Sequence, residues 1–276
     1  MDQRSQPQPQ HWDLMYDALA RSVVLDRIRR ECYGDDYVEE LKALSMVMLS
    51  ELRWCAQALK LVPGASFIDL GCGLGGPGLW VARETAATVT GIDLSPTALK
   101  YARRRSASFV SIGRAHFFVS DAAHLPLNSG SSSAALGIDV FQVLPNKASA
   151  FAELARVLRP DAHLVFTTRE RHSADTIGVP DNIVVDHEPL LVAAGFTLLE
   201  RHEPQGWEER HRRYYSRVLA MHDVIGTEAG EHFACAVVRD AKNVLAMLNG
   251  TRRVLIVARR SDSGAEQPGV VLQKWR

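Results

Sequence analysis

The stretch Phe67–Gly76, FIDLGCGLGG, constrains the fold more than any other part of this 276-residue chain. An apolar run ends in an acid, glycines follow, and Pro77 stands where a first helical turn tolerates it. Strand, glycine turn and helix in that order open a βαβ unit. The rhythm then continues. TVTGIDL reads as a second strand, and SPTALKYARRRS as a helix with Ser95 as N-cap and Pro96 behind it. AHFFVSDA and SSAALGIDVF are the third and fourth strands, NKASAFAELARVL a helix and AHLVFTT the fifth strand. EPLLVAAGF is a short helix ending at Gly195, TLLERHEP the sixth strand and RVLIVARR the seventh. Such alternation predicts an α/β fold, a doubly wound and mostly parallel sheet covered on both faces.

Two segments depart from a minimal open sheet. Between Trp12 and Leu61, Val23, Val24, Ile28, Leu41, Leu44, Met48 and Leu52 recur at helical steps, broken by the turn YGDDY at Tyr33–Tyr37. Between strands six and seven, residues 205–250 carry a helical pattern that includes WEERHRRYY. The division expected is a disordered tail at 1–10, a helical cover at 11–61, a core at 62–204 and 251–260, a helical insertion acting as a substrate lid at 205–250, and a C-terminal tail at 261–276.

The 32 basic and 32 acidic residues cancel, so no global field draws the chain toward nucleic acid or an anionic membrane. Cys32, Cys55, Cys72 and Cys235 match neither a zinc site nor a disulfide framework, and no metal is expected. Free thiols, a polar N-terminus unlike a signal peptide, and no apolar run near the roughly 18 residues of a membrane span predict a cytoplasmic protein without membrane contact. A homo-oligomer is left open.

Glycines this dense bring backbone close to a ligand. A P-loop is excluded, because no Gly-Lys-Ser/Thr follows. Gly71, Gly73 and Gly76 satisfy the dinucleotide pattern G-x-G-x-x-G, and Asp93 lies 22 residues after Gly71, near the spacing of a ribose-binding acid. Asp69 argues against a pyrophosphate. A carboxylate closing the first strand beside the glycine turn suits an ammonium group, with a ribose further along.

At this point the chain resembles the class I S-adenosylmethionine-dependent methyltransferases, in particular the ubiquinone-biosynthesis-like and natural-product group. The residues that carry the resemblance are Ile68-Asp69-Leu70-Gly71-Cys72-Gly73-Leu74-Gly75, then GIDLS with Asp93, VSDAAHLPL with Asp121, and LARVLRP before the fifth strand. It implies a Rossmann-like seven-stranded sheet with the last strand antiparallel, and S-adenosyl-L-methionine as cofactor. It further implies that Asp69 binds the ammonium and that Gly71, Cys72, Gly73 and Gly75 form the backbone cradle. Asp93 would take the ribose hydroxyls and Leu94 the adenine face. Asp121 and the Ala122 N–H would take the adenine edge.

Many small-molecule O-methyltransferases of this class carry a His pair after strand four. Here Phe141 and Gln142 stand at those positions, so the catalytic candidates are Asp139 and Gln142. The missing base tilts the expectation toward N- or C-methylation, or toward an oxygen acceptor that is already acidic. His172 and His187 read as surface or packing residues, and Arg103–Arg105, Arg252, Arg253, Arg259 and Arg260 as solvated. Tyr33, Tyr37, Trp207, Tyr214 and Tyr215 are candidates for an apolar substrate cover. No N-P-P-Y-type tetrad follows strand four, which speaks against a nucleic-acid substrate. The expected activity is methyl transfer to a small organic molecule. The rivals are a nicotinamide-dependent oxidoreductase and a non-catalytic methyltransferase-like binding protein.

Overall fold

A computed structural model describes residues 9–261; most of both expected tails lies outside it, and Pro9 and Gln10, assigned to the first tail, open a helix. Seven strands form one sheet: β1 (Ser66–Leu70), β2 (Thr88–Asp93), β3 (Ala115–Val119), β4 (Ser132–Ile138), β5 (Leu158–Arg171), β6 (Phe196–His202) and β7 (Thr251–Arg260). Their order is β3-β2-β1-β4-β5-β7-β6, parallel except for β7, which runs antiparallel to both β5 and β6. The sheet therefore has the expected class and its antiparallel last strand. The order reverses between β1 and β4, which opens a crevice at their C-terminal ends.

Strand residues alternate between two apolar layers, as a pleated sheet requires. Phe67, Leu136, Val165 and Leu255 pack with α3 (Leu49–Ala58), α4 (Gly76–Thr85) and α5 (Pro96–Ser106). Ile68, Ala135, Phe166 and Ile256 pack with α6 (Lys147–Val157) and α7 (Glu188–Ala193). A third cluster is made almost wholly of helices: α1 (Pro9–Arg21), α2 (Val24–Tyr33), α8 (Trp207–Ala220), α9 (His222–Ala229) and α10 (Glu231–Met247). The N-terminal segment and the insertion thus share one core, while α3, which sequence groups with the cover, belongs to the sheet.

The joints of this cap are polar. Glu228 on α9 accepts from Ser22 Oγ (2.7 Å) and from the Val23 and Val24 N–H groups (2.8 and 3.0 Å), so a carboxylate 200 residues away caps α2. Asp13 on α1 accepts from the Thr97 N–H (3.1 Å) and Ser95 Oγ at the start of α5, and Asp17 accepts from Tyr101 Oη at 2.8 Å.

β5 runs well past the expected AHLVFTT. β7 continues the ladder as far as Arg171↔Thr251, with Arg169 directly opposite Arg253. The antiparallel partner supplies the hydrogen bonds that let β5 outgrow its parallel neighbours, and the extension carries both arginines beyond the sheet edge and under the cap.

Candidate active site

A cavity of about 480 Å³ lies between the C-terminal ends of β1, β2 and β4 and the cap. Asp69, Gly71, Cys72, Gly73, Asp93, Leu94, Ala122, Asp139 and Gln142 all line it. Gly75 is set back against Ala102 and Leu79 at the start of α4. Asp121 is exposed, and its carboxylate accepts from the Ala123 N–H at 3.0 Å.

The glycine turn is built for close approach. Gly71 and Gly73 have φ of +67° and +51°. A Cβ at Gly71 would lie 2.6 Å from Val140 Cγ2, and one at Gly73 2.7 Å from the Tyr16 ring. The first contact joins the β1 loop to the β4 loop at the switch point. The second brings a cap residue onto the loop, with the Tyr16 hydroxyl beside Gly73.

Asp69 is 2% exposed. Its Oδ2 accepts from the Gly78 N–H at 3.1 Å, and among the described residues no cation lies within salt-bridge distance. Burial pushes its carboxyl up to about 8, the Gly78 bond opposing and Asp93 adding a little. A buried acid without a counter-ion among the described residues suits a cationic group of a ligand. Asp93 accepts from the Gly73 N–H through Oδ2 (2.8 Å) and from the Ser95 N–H through Oδ1 (2.9 Å). Each oxygen keeps a lone pair for a further donor. Burial raises this carboxyl too, against its backbone bonds.

At the acceptor end, Asp139 follows β4 with φ +55°, a left-handed conformation in which Asp is among the better tolerated residues. Its N–H donates to Thr167 Oγ1 and its Oδ1 accepts from the same hydroxyl, at 2.9 and 2.8 Å. Arg253 Nη1 lies 2.7 Å from Asp139 Oδ1, while Arg253 Nε and Nη2 grip Glu51 at 3.0 and 2.9 Å. Burial alone would raise the Asp139 carboxyl, but Arg253 and Thr167 hold it below the usual range. Arg253, read as solvated from sequence, is instead among the largest fully buried side chains, because two acids from α3 and the β4 loop neutralise it. Arg252 likewise meets buried Glu170 at 2.8 Å. Gln142 presents a buried Oε1 without a partner among the described residues.

Sequence reasoning did not single out Tyr16, Arg29, Arg169, His211 or Asp240, all of which line the cavity. Each sits in a helical or strand-end pattern where the type of residue does not reveal which way it faces. His187, expected as surface or packing, is fully buried against Glu170 at 3.1 Å. Tyr214 and Tyr215 line the cavity, whereas Trp207 meets His211 edge-on (5.4 Å between centroids, 80° between planes) behind it.

Residues 68–166 match the family described as methyltransferase domain. The chain is 37% identical over 196 residues to methyltransferase GfsG of Streptomyces halstedii, covering 63% of this chain and 67% of that protein. It is 26% identical over 267 residues to an O-methyltransferase of Pyrenophora dematioidea, covering 91% and 93% respectively. Among solved structures the [4+2]-cyclase SpnF superposes with a TM-score of 0.70 at 21% identity, over 93% of this chain and 97% of that one. No helix among the described residues is long and apolar enough to cross a membrane. The chain belongs to the class I S-adenosylmethionine-dependent small-molecule methyltransferases.

Proposed function

We propose that this methyltransferase acts on an oxygen atom of a small organic molecule held between the sheet edge and the helical cap. The observation that carries the reading is the buried, counter-ion-free Asp69 beside the glycine turn, with Asp93 at the next strand end and one cavity continuing under the cap. Asp69 fits the ammonium of the methionine portion, Gly71–Gly73 its backbone cradle and Asp93 the ribose hydroxyls. Leu94 fits the adenine face, with Ala122 and Asp121 at the adenine edge, and Tyr16 adds a cap hydroxyl at Gly73. Bound there, S-adenosylmethionine supplies an electrophilic methyl group on a sulfonium sulfur.

What remains for the chain is to hold the acceptor in line and exclude water, which supports much of the acceleration of such a displacement. Asp139 is a weak base while Arg253 holds it, so it fits a positioning role at the reacting end, with Gln142 Oε1 free to accept from the substrate. The long match to an O-methyltransferase supports oxygen as acceptor. A fold shared with a cyclase does not by itself fix the chemistry. The test is methyl transfer from labelled S-adenosylmethionine to an extract of small molecules, with mass-spectrometric localisation of the label. Incorporation on nitrogen or carbon overturns the oxygen reading. Tight S-adenosylhomocysteine binding with no transfer to any fraction favours a binding protein.

A further inference from the structure

The register places Arg169 and Arg253 directly opposite one another on β5 and β7, two like charges on one face under the cap. Like charges so placed repel unless each is balanced. Arg253 is balanced by Glu51 and Asp139. Arg169 is not: it is 3% exposed, has no carboxylate within 4 Å among the described residues, and leaves Nη1 buried without a partner. Its Nη2 lies 2.6 Å from His211 Nδ1, and its guanidinium lies 5.2 Å from the centre of the Trp207 ring.

The histidine contact fixes a tautomer. A guanidinium only donates, so His211 Nδ1 accepts and the proton of the neutral ring sits on Nε2. Burial lowers the ring's affinity for a second proton, and Arg169 adds to this. His211 Nε2 has no protein partner among the described residues and the ring lines the cavity. It therefore offers an N–H, not a lone pair, and is not a base toward substrate. Arg29, 4% exposed over the Tyr214 ring, faces the same cavity with no carboxylate within 4 Å among the described residues.

We infer that Arg169, the His211 Nε2–H and Arg29 form an anion-binding subsite, and that the methyl acceptor is an organic acid bound as its carboxylate. This deepens the oxygen reading above and rests on it. A carboxylate oxygen forms the new C–O bond while the methyl–sulfur bond breaks, its electron pair going to sulfur. The product is a neutral ester, and no proton leaves. The step accounts for a site whose histidine has the wrong tautomer for a base and whose Asp139 is clamped. It also explains release, since the ester no longer carries the charge that Arg169 holds. Asp240, the remaining carboxylate on this cavity, faces its open side, where the loss of surrounding water raises its carboxyl against the pull of Arg169 and a hydrogen bond from Tyr215.

The test uses full-length protein saturated with S-adenosylhomocysteine and a panel of aryl- and alkyl-carboxylates, each paired with its primary amide. Calorimetry or thermal shift reads binding. The expected result is a preference for at least one acid over its amide of roughly tenfold to a hundredfold, the worth of a charge-assisted bond. Arg169→Gln should erase that preference while keeping S-adenosylhomocysteine affinity, and Asp240→Asn should keep or widen it. Imidazole nitrogen shifts of His211 should report protonated Nε2. A panel in which no acid outbinds its amide overturns the proposal, as does a preference that survives Arg169→Gln. So does an Asp240→Asn protein that loses turnover of a neutral alcohol with its basic limb, which would make Asp240 a general base. Failure of wild-type protein to bind S-adenosylhomocysteine would sink the methyltransferase site instead, and leaves the acid preference to stand or fall by itself.

Discussion

The sheet edge and the helical cap wall the same cavity by opposite means. At the sheet edge the wall is built from backbone: glycine turns, strand-end carboxylates and N–H groups within a few residues of one another. In the cap it is built from long side chains, Tyr16, Arg29, His211 and Asp240, that meet only because α1, α2 and α8–α10 share one core. The first kind of site requires particular residues at particular spacings, and leaves a trace in the chain. The second requires only that a face be turned inward, and many residue types satisfy that.

The largest effect should come on the sheet side of that contrast, at the buried triad of Arg253, Glu51 and Asp139. Arg253→Met leaves Glu51 and Asp139 as buried acids without their cation, and breaking a buried pair in this way costs about 3–5 kcal/mol. Denaturant unfolding should show that loss. An unchanged midpoint would mean that the two acids take up protons or water at little cost and that the triad does not hold β7, the β4 loop and α3 together.

Next comes the sheet edge itself. Asp93→Ala removes two charge-assisted acceptors, so S-adenosylhomocysteine affinity should fall by about 3 kcal/mol or more, over a hundredfold, in protein that still unfolds cooperatively. Calorimetry with unaltered affinity would overturn the proposed role of Asp93 toward the ribose. Asp139→Asn should instead depress turnover more than cofactor affinity, because its contacts lie at the acceptor end; equal loss of both would make it a folding residue.

How far each region was legible follows from the same contrast. Asp69, Gly71, Gly73 and Asp93 stand out in the chain because close approach and a ligand charge restrict what those positions hold, and the structure brings all four to one wall. The strand pattern was readable because two faces are buried in alternation. Arg253 was not, since an arginine beside a strand looks the same whether it meets water or two acids from residues 51 and 139. Arg169 was hidden by an extension of β5 that depends on pairing with a strand more than 80 residues later. Gly75 and Asp121 carry the right letters, yet one faces α5 and the other solvent in this conformation.

Asp69 gives the comparison a pH axis. Burial raises its carboxyl from the usual 3.8 to about 8 in the free fold. Between those values the folded state holds a proton that the unfolded chain has lost, so the stability of the free protein should fall as pH rises from about 4 to about 8 and level off above. Asp69→Asn should flatten that slope. Binding of the cofactor's ammonium, which needs the carboxylate ionised, should strengthen as pH rises toward 8. Parallel slopes in wild type and Asp69→Asn would show that Asp69 is already ionised in the free protein.

The smallest effect tests whether the cap is one unit. Glu228 reaches from α9 to the N-terminus of α2 and accepts two backbone N–H bonds there, with a third from Ser22. Glu228→Gln keeps an acceptor and loses the charge at the helix dipole, which is worth about 0.3–1 kcal/mol. Glu228→Ala also loses the cap, worth about 0.5–2 kcal/mol. Neither residue change touches the sheet edge, so S-adenosylhomocysteine affinity should hold. If α1–α2 and α8–α10 open together, amide exchange should speed up in both sets by the same factor in Glu228→Ala, while β1, β2 and β4 keep their protection. Faster exchange confined to α2 would mean that the two halves of the cap move separately, with Glu228 serving only as a local cap.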